Sequence, residues 1–334
     1  MKTMGRLLIL LVLSIVMTTG ILLYRGNGFL DRPMNLPAQG MNVMVEPGMS
    51  FRTLSRDLEQ QGALDSGLFL YAFARATGRT GRLRVGEFYV PAGTTPRELL
   101  DILQYDKPVQ YSLTLVEGWN IREMLAAIAG HPALKQTLKD LPPEEIMKRL
   151  GRGGEHPEGR FLPETYRFER GMTDKEFLER SYRDMDETLS RLWRQRAGDL
   201  PIATPYEALI LASIVEKETA VETERKEIAG VFVRRLQKGM RLQTDPTVIY
   251  GMGENYQGNI RRVDLQADSP YNTYMRKGLP PTPICMPGKA SLEAAMHPAK
   301  GDSLYFVARG DGTHQFSATL NDHNAAVRQF QLKR

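Results

Sequence analysis

The sequence has little of what disulfide-linked, metal-binding and nucleic-acid-binding proteins need. Its 334 residues include one cysteine, Cys285, which excludes an intramolecular disulfide, and the five histidines form no ligand cluster with it. The net charge of +5 comes mainly from Lys2, Arg6 and Arg25, because the rest of the chain has 41 basic and 39 acidic residues. Basic blocks interleaved with aromatic residues are absent, so nucleic acid is not an expected partner. A lone cysteine fits either an exported or a cytosolic protein.

One long apolar run is present near the N-terminus. Residues 7–24 are 18 positions without a charge, and Lys2 and Arg6 precede them. This length approaches the ~20 residues that span a bilayer, and the positive-inside rule places the preceding residues in the cytoplasm. We therefore expect a cytoplasmic tail over 1–6, a transmembrane signal anchor over 7–24, and the remainder outside. A cleaved signal peptide is the alternative, but the run is long for one and no small-x-small site follows.

Four short segments repeat one order: an extended residue, a glycine turn, a capping residue and an amphipathic helix. They are the segments 45–54, 90–99, 116–124 and 168–177. Three of them carry the capping-box pattern, in which a glutamate follows the N-cap residue by three positions. These pairs are Thr95/Glu98, Asn120/Glu123 and Thr173/Glu176. The irregular spacing excludes a solenoid, and either duplication or ordinary strand-to-helix junctions would explain the repetition.

The hydrophobic pattern predicts an α+β protein with two parts after a linker. Residues 25–40 are rich in Gly, Pro and Asn and form the expected linker. Residues 41–107 have a small β-α-α-β-α outline, and residues 108–334 make a larger mixed α+β domain. The predicted strands cover 42–45, 86–90, 111–116 and 304–307. The predicted helices cover 51–61, 67–77, 96–103, 121–128, 174–192, 206–219 and 222–237.

The predicted helix over 206–219 carries an acid on its most apolar side. Thr204 is the expected N-cap, with Glu207 completing a capping box. At ~100° per residue, Glu218 lies on the same stripe as aliphatic residues, whereas Glu216 points to the opposite side. A carboxyl group among aliphatic side chains has a raised pKa and can serve as a general acid near neutrality. The alternative is that both glutamates are solvated on the last turn of the helix.

Three later stretches, 240–251, 269–288 and 305–316, are dense in polar and aromatic residues and lack helical periodicity. Amides, hydroxyls and carboxyls beside tyrosines are the usual lining of a sugar-binding cleft. Each stretch could also be turn chemistry alone, since Asp311-Gly312 is a hairpin-turn signal and 280–287 is rich in proline. The candidate substrate-binding residues are Gln243, Asp245, Thr247, Tyr250, Tyr271, Asn272, Thr273 and Tyr274.

An ordered series of motifs carries a family resemblance. The motifs are VEG at 116–118, EGRFLPETY at 158–166, VEKET at 215–219, LQTDPTVIYG at 242–251, YNTY at 271–274, GLPPTPI at 278–284, HPA at 297–299 and DGTHQFSATLNDHN at 311–324. Short motifs such as HPA are weak alone, but the whole series closely resembles the endolytic murein transglycosylases of the YceG-like (MltG) family. The resemblance runs from the apolar N-terminal segment almost to the C-terminus.

This resemblance implies an inner-membrane anchor, a LysM-like subdomain over 41–107 and a periplasmic catalytic domain over 108–334. The implied activity cuts nascent peptidoglycan strands internally between N-acetylmuramic acid and N-acetylglucosamine, leaving 1,6-anhydro ends. The essential glutamate of the family matches Glu218, the residue that the helical stripe also selects. The implied partners are glycan strands, the inner membrane and peptidoglycan synthases. No cofactor or metal is expected, because the nucleophile is a hydroxyl of the substrate itself.

Two other functions remain open from the sequence. A hydrolytic muramidase would use Glu218 as the acid and a second carboxylate, such as Asp245, to activate water. A non-catalytic wall-binding scaffold would rely on the LysM-like part alone. The density of polar and aromatic residues in the C-terminal half argues against a scaffold, which would not need it.

Overall fold

The computed structural model describes residues 2–81 and 83–332, without the side chains of 2–8, 19, 22 and 23. The chain divides into two compact units. The first comprises Met1–Tyr111 together with Phe168–Gly171, and the second comprises Ser112–Arg167 together with Met172–Arg334. Both units mix helices and short antiparallel strands, which confirms the predicted α+β class.

The first unit has the predicted β-α-α-β-α outline over residues 41–107. Its elements are α1 (Lys2–Leu30), β1 (Met41–Val45), α2 (Phe51–Gln60), α3 (Gly67–Ala76), β2 (Gly86–Val90) and α4 (Pro96–Tyr105). Strands β1 and β2 pair antiparallel, with Met41 opposite Val90 and Val45 opposite Gly86. Alternate residues of β1 and the apolar stripes of α2 and α4 enclose one hydrophobic core.

The segment predicted to be a linker is more ordered than its composition suggests. Helix α1 continues to Leu30, and the side chains of Leu30 and Met34 are only 3% and 7% exposed. The backbone N–H of Met34 also donates to the carbonyl of Thr94. Apolar residues between the glycines and prolines of 25–40 therefore pack into the core of the first unit.

The predicted transmembrane segment over 7–24 falls within α1, and some of its side chains lie outside the described residues. Within the part of the chain that the structure describes, no helix combines the length and apolarity needed to cross a membrane. The structure therefore does not support the predicted transmembrane helix.

The second unit holds most of the helices. Strands β3 (Gln110–Thr114) and β4 (Thr165–Glu169) pair with each other, and the division between the units falls within both strands. Between and after them lie α5 (Ile121–Ala129), α6 (Pro143–Arg149), α7 (Asp174–Arg194), α8 (Pro205–Glu218), α9 (Arg225–Gln237), α10 (Asp245–Met252), α11 (Arg262–Gln266), α12 (Lys289–Met296), β5 (Tyr305–Ala308), β6 (His314–Ser317) and α13 (Leu320–Phe330). The core of this unit lies where α8 packs against α7, α9 and α12.

The four repeated segments all form the same junction. In each one a strand leads into a glycine with positive φ and then into a capped helix: Gly48 (81°), Gly93 (85°), Gly118 (80°) and Gly171 (93°). Glycine is favoured there because a Cβ disfavours that conformation. The three predicted capping boxes are present at α4, α5 and α7.

The capping box predicted for α8 is only half formed. The hydroxyl of Thr204 accepts the backbone N–H of Glu207, as expected. The Glu207 carboxylate, however, accepts the N–H of Ala203 rather than that of Thr204. The sequence pattern correctly predicts where α8 begins. The backbone conformation before Thr204 places the N–H group of Ala203, and not that of Thr204, against the Glu207 carboxylate.

The start of α7 provides a stability prediction. The buried Asp174 carboxylate accepts the backbone N–H groups of Thr137 and Leu138, each at 2.9 Å. In Asp174→Ala both donors lose their partner, so the free energy of unfolding in urea should fall by about 2–4 kcal/mol. Glu179→Ala, on the exposed face of the same helix, is the control and should change it by less than about 0.5 kcal/mol. Equal effects of the two variants would contradict this role of Asp174.

Candidate active site

Glu218 is the last residue of α8 and lies at the end of an almost wholly buried helix. All eight residues from Ala208 to Val215 are buried, and Thr219 turns the chain into an extended conformation directly after the glutamate. Glu218 itself is half-buried, because it faces a cavity instead of the core. The alternative of a freely solvated glutamate is therefore excluded.

The cavity has a volume of about 570 Å³, within the usual size range of small-molecule sites. Polar side chains from α8, α9, α10 and the loops around them form one part of its wall. These are Glu218, Arg235, Gln243, Thr244, Asp245 and Tyr274. The remaining wall comes from β5, β6 and α13 and includes Tyr305, Phe306, His314, His323 and Asn324. The lining combines a carboxylic acid, amides and aromatic rings, as expected for a sugar-binding cleft.

Burial raises the pKa of Glu218 from its usual value of 4.5 to about 7. The negative charge of Asp245 raises the pKa further. The hydroxyl of Thr244, which donates to the Glu218 carboxylate, lowers it, as do His314 and Arg235. Because desolvation is the largest contribution, Glu218 retains a proton near neutrality, as a general acid must.

The segment 242–245 sets the polar side of the cavity next to Glu218. Gln243 has a φ of 53°, an uncommon value for a residue other than glycine, and its N–H donates to the carbonyl of Thr273. Asp245 is exposed and accepts the hydroxyl of Tyr274 at 2.6 Å. Four predicted residues, Glu218, Gln243, Asp245 and Tyr274, therefore line one cavity.

No helix was predicted between residues 240 and 251. This prediction is wrong, because α10 begins at Asp245. The helix has only eight residues, with Thr247 and Val248 buried and Asp245 exposed. So short a helix shows little periodicity in the sequence. Its start is fixed instead by Pro246 in the first turn.

Three other candidate residues, Thr247, Asn272 and Thr273, are almost fully buried behind the cavity wall. The hydroxyls of Thr247 and Thr273 bond to each other at 2.9 Å, and Thr273 also accepts the N–H of Thr244. The amide of Asn272 donates to the carbonyls of Leu265 and Ala267. These side chains hold the 242–245 segment and its neighbouring loop in place, and do not line the cavity.

The last two candidates, Tyr250 and Tyr271, form a separate cluster with Glu158. Their rings meet edge to face with centroids 5.0 Å apart, and the Tyr250 hydroxyl donates to the Glu158 carboxylate at 3.0 Å. The other carboxylate oxygen accepts the N–H of Ile121, at the start of α5. Burial raises the pKa of Glu158 to about 7. This cluster joins the segment 158–166 to α10.

Sequence reasoning did not single out Arg235, although it lines the cavity. The side chain is 8% exposed, and its guanidinium donates to the carbonyls of Leu304 at 2.6 Å and Leu242 at 2.7 Å. It thereby ties α9 to the 242–245 segment and to the residue before β5. Helix α9 contains three arginines, Arg225, Arg234 and Arg235, and no local pattern distinguishes the one that lines the cavity, so only the structure shows this role.

Glu216 has surroundings different from those of Glu218, as the helical stripe predicts. Its carboxylate accepts the N–H of Gly288 at 3.0 Å, at the start of α12, and lies 4.0 Å from Arg225. Next to it, Lys217 donates to the carbonyl of Gly118. These contacts attach the last turn of α8 to neighbouring segments on the side away from the cavity.

Across residues 2–81 and 83–332, no three His, Cys, Asp or Glu side chains are grouped to hold a metal ion.

A sequence model of the YceG-like family matches residues 43–329, which include nearly all of the small β-α-α-β-α segment and of the Glu218 cavity. The chain belongs to the YceG-like family. A crystal structure of a putative YceG-like protein from Listeria monocytogenes has the same fold, with a TM-score of 0.55 and 30% sequence identity. The match covers 86% of this chain and 99% of the Listeria chain.

Curated relatives of this YceG-like protein carry the name endolytic murein transglycosylase. The Bacillus subtilis protein is 29% identical over 307 residues, which cover 87% of this chain and 84% of the relative. A Streptococcus pneumoniae protein is 27% identical over 322 residues, covering 86% of this chain and 58% of that longer relative. The family predicted from the motifs is therefore confirmed.

The raised pKa of Glu218 predicts a pH-dependent effect on stability. The unfolded chain releases this proton near pH 4.5 and the folded protein near pH 7, so folding stability falls as pH rises through that interval. Glu218→Gln removes this loss. The free energy of unfolding of the variant, relative to the wild type, should increase by about 1–3 kcal/mol between pH 4.5 and pH 8. A difference that stays constant across this range would contradict the raised pKa.

Proposed function

We propose that this protein is an endolytic murein transglycosylase, which cuts peptidoglycan strands within their length. The observation that carries the proposal is a half-buried carboxyl group, Glu218, which lies at the end of a buried helix, faces a polar and aromatic cleft and has a pKa raised to about 7 by burial. The family and the names of the relatives agree with this chemistry. A cleft open to solvent suits an internal cut, because the strand has to continue beyond the site on both sides.

Glu218 first acts as an acid. It donates its proton to the glycosidic oxygen between N-acetylmuramic acid and N-acetylglucosamine while positive charge develops at C1 of the muramic acid. The C6 hydroxyl of the same sugar then closes on C1, forming a 1,6-anhydro ring, and its proton returns to the Glu218 carboxylate. Because the nucleophile belongs to the substrate, the step consumes no water and one carboxyl group is restored in each turnover.

The neighbouring groups assist this proton cycle. Thr244 donates to the Glu218 carboxylate and so orients it and stabilises its ionised form after proton donation. Asp245 is held by the Tyr274 hydroxyl and contributes negative charge that stabilises the cation at C1. Gln243 presents an amide to the same cavity and can hydrogen-bond the N-acetyl or hydroxyl groups of the sugars.

Hydrolysis is the second candidate, and Asp245 is the observation that favours it. It is a second carboxylate in the same cavity and could activate a water molecule against C1. The two reactions differ in their products, because hydrolysis leaves a free reducing end. Mass spectrometry of fragments released from purified glycan strands distinguishes them: 1,6-anhydro ends support the proposal, and reducing ends overturn it in favour of a muramidase.

The two glutamates of the last turn of α8 give the activity prediction. Glu218→Gln keeps the shape and the Thr244 hydrogen bond but cannot transfer the proton, so kcat on glycan strands should fall at least ~100-fold. Glu216→Gln is the matched control and should lose less than ~10-fold, because its contacts point away from the cavity. Thermal unfolding should show that both variants fold. An inactive Glu216→Gln beside an active Glu218→Gln would exclude the assigned role.

We also propose that the protein acts at the outer face of the inner membrane, where it terminates elongation of nascent strands beside peptidoglycan synthases. The support is the uncharged run over 7–24 and the basic residues before it, which favour an N-terminus in the cytoplasm. Residues 41–107 are proposed to be a LysM-like module that binds glycan strands, in keeping with their β-α-α-β-α outline. No cofactor is required for either role.

Membrane attachment can be tested by extracting membranes at alkaline pH. The full-length chain should remain in the membrane fraction, and Leu13→Arg should release it, because an arginine within the apolar run opposes insertion by about 3 kcal/mol. Leu68→Arg is the control, since Leu68 is an exposed leucine outside the run. A soluble mature form beginning near residue 26 would show a cleaved signal peptide and overturn the anchor.

A further inference from the structure

A carboxylate–histidine pair lies at the same cavity as Glu218. His314, the first residue of β6, places Nδ1 2.7 Å from one carboxylate oxygen of Glu224. The other carboxylate oxygen accepts the backbone N–H of His314 at 2.9 Å. The two side chains are only 12% and 13% exposed. Two contacts to one carboxylate leave the imidazole ring little freedom to rotate.

The pair fixes which nitrogen of His314 is available for chemistry. A carboxylate accepts a hydrogen bond from Nδ1–H, so in the neutral ring Nε2 carries the lone pair. Within the described part of the chain, Nε2 has no hydrogen-bond partner, and the ring lines the cavity. The edge-to-face contact with Phe306 supports the ring from the side. The arrangement orients a base toward the cleft in the way that a carboxylate orients a catalytic histidine.

Charged and titratable groups reach His314 from several elements. Glu224 bonds to it directly, and Glu218 is close enough for a positive charge on His314 to lower the pKa of its carboxyl. Arg235, Asp245 and His323 line the same cavity from α9, α10 and α13. A proton on His314 therefore affects Glu218, although the two residues belong to different elements.

We propose that His314 relays the proton in the second half of the reaction, an inference that rests on the proposed transglycosylase function. As the C6 oxygen forms its bond to C1 and the glycosidic C1–O bond breaks, Nε2 of His314 accepts the proton of the C6 hydroxyl. The leaving oxygen receives the proton of Glu218. The imidazolium then gives its proton to the Glu218 carboxylate, so both residues return to their starting states and nothing is oxidised or reduced.

With the relay, one carboxyl group does not have to exchange protons with two different oxygen atoms on C1. The leaving oxygen and the attacking C6 oxygen are different atoms on C1, and proton transfer needs a separation of about 2.6–3.2 Å to each. A base on β6, separate from the acid on α8, can reach the second oxygen without moving Glu218. Glu224 stabilises the imidazolium while it carries the proton.

The division of the effect between kcat and KM separates a relay from a structural role. The wild type should lose activity above about pH 7, where Glu218 ionises. His314→Gln should lower kcat at least ~100-fold with little change in KM, and the loss of activity above about pH 7 should remain. A folded His314→Gln variant with the kcat of the wild type would overturn the relay.

Rescue with imidazole provides the second readout. His314→Ala should regain activity when free imidazole is added, because the ligand can occupy the space of the missing ring. His323→Ala is the matched control: it removes another histidine of the same cavity, one that stacks on Tyr305 and makes no contact with Glu224. Imidazole should not restore any activity lost in this control. Rescue of both variants, or of neither, would contradict a specific role of His314.

Glu224→Gln tests the same step while keeping the ring, in case the His314 variants fail to fold. Loss of the carboxylate charge disfavours the imidazolium that forms during the reaction, so kcat should fall with little change in KM. An unchanged kcat overturns the relay.

Product analysis keeps the two proposals apart. Reducing ends from the wild type would overturn the proposed function, whereas 1,6-anhydro ends with an unchanged kcat in Glu224→Gln would overturn the relay alone.

Discussion

Glu218 is shielded from water on the side of its helix and is still open to a cavity. The buried segment Ala208–Val215 provides the shielding, because α8 is enclosed by α7, α9 and α12 up to its last turn. The opening follows from ending the helix at Glu218, where Thr219 becomes extended and the cavity begins. A helix one turn longer would bury the acid, and a more exposed one would lower its pKa.

Polar contacts on each side of that helix end hold the segments around Glu218. Glu216 and Lys217 attach the last turn on the side away from the cavity, through Gly288 and Gly118. On the cavity side, the buried Arg235 donates to the carbonyl of Leu242, in the segment that carries Thr244. A buried polar group that loses its partner costs about 1–3 kcal/mol, so the contacts of Arg235 favour one arrangement of this segment.

Local patterns predicted the junctions well and the short helices poorly. A glycine followed by Ser, Thr or Asn and then by glutamate specifies a turn and a cap within a few residues, so α4, α5 and α7 begin where expected. Helix α10 was not predicted because eight residues with little amphipathicity carry no period. The linker was predicted from its glycines and prolines, whereas Leu30 and Met34 pack according to their own apolar surface.

The α+β class and the family followed from the amino-acid sequence alone, because helical periodicity and ordered motifs are properties of neighbouring residues. The same periodicity predicted Glu218 as the candidate acid. The sequence also placed Gln243, Asp245 and Tyr274 in polar stretches, without showing that these three meet Glu218 while Thr247, Asn272 and Thr273 lie behind the wall. The folded chain shows this, and it also shows the contacts of Arg235 and the Glu224–His314 pair. These contacts join residues that are far apart in the chain, and no local sequence pattern indicates which side chains meet in the folded protein.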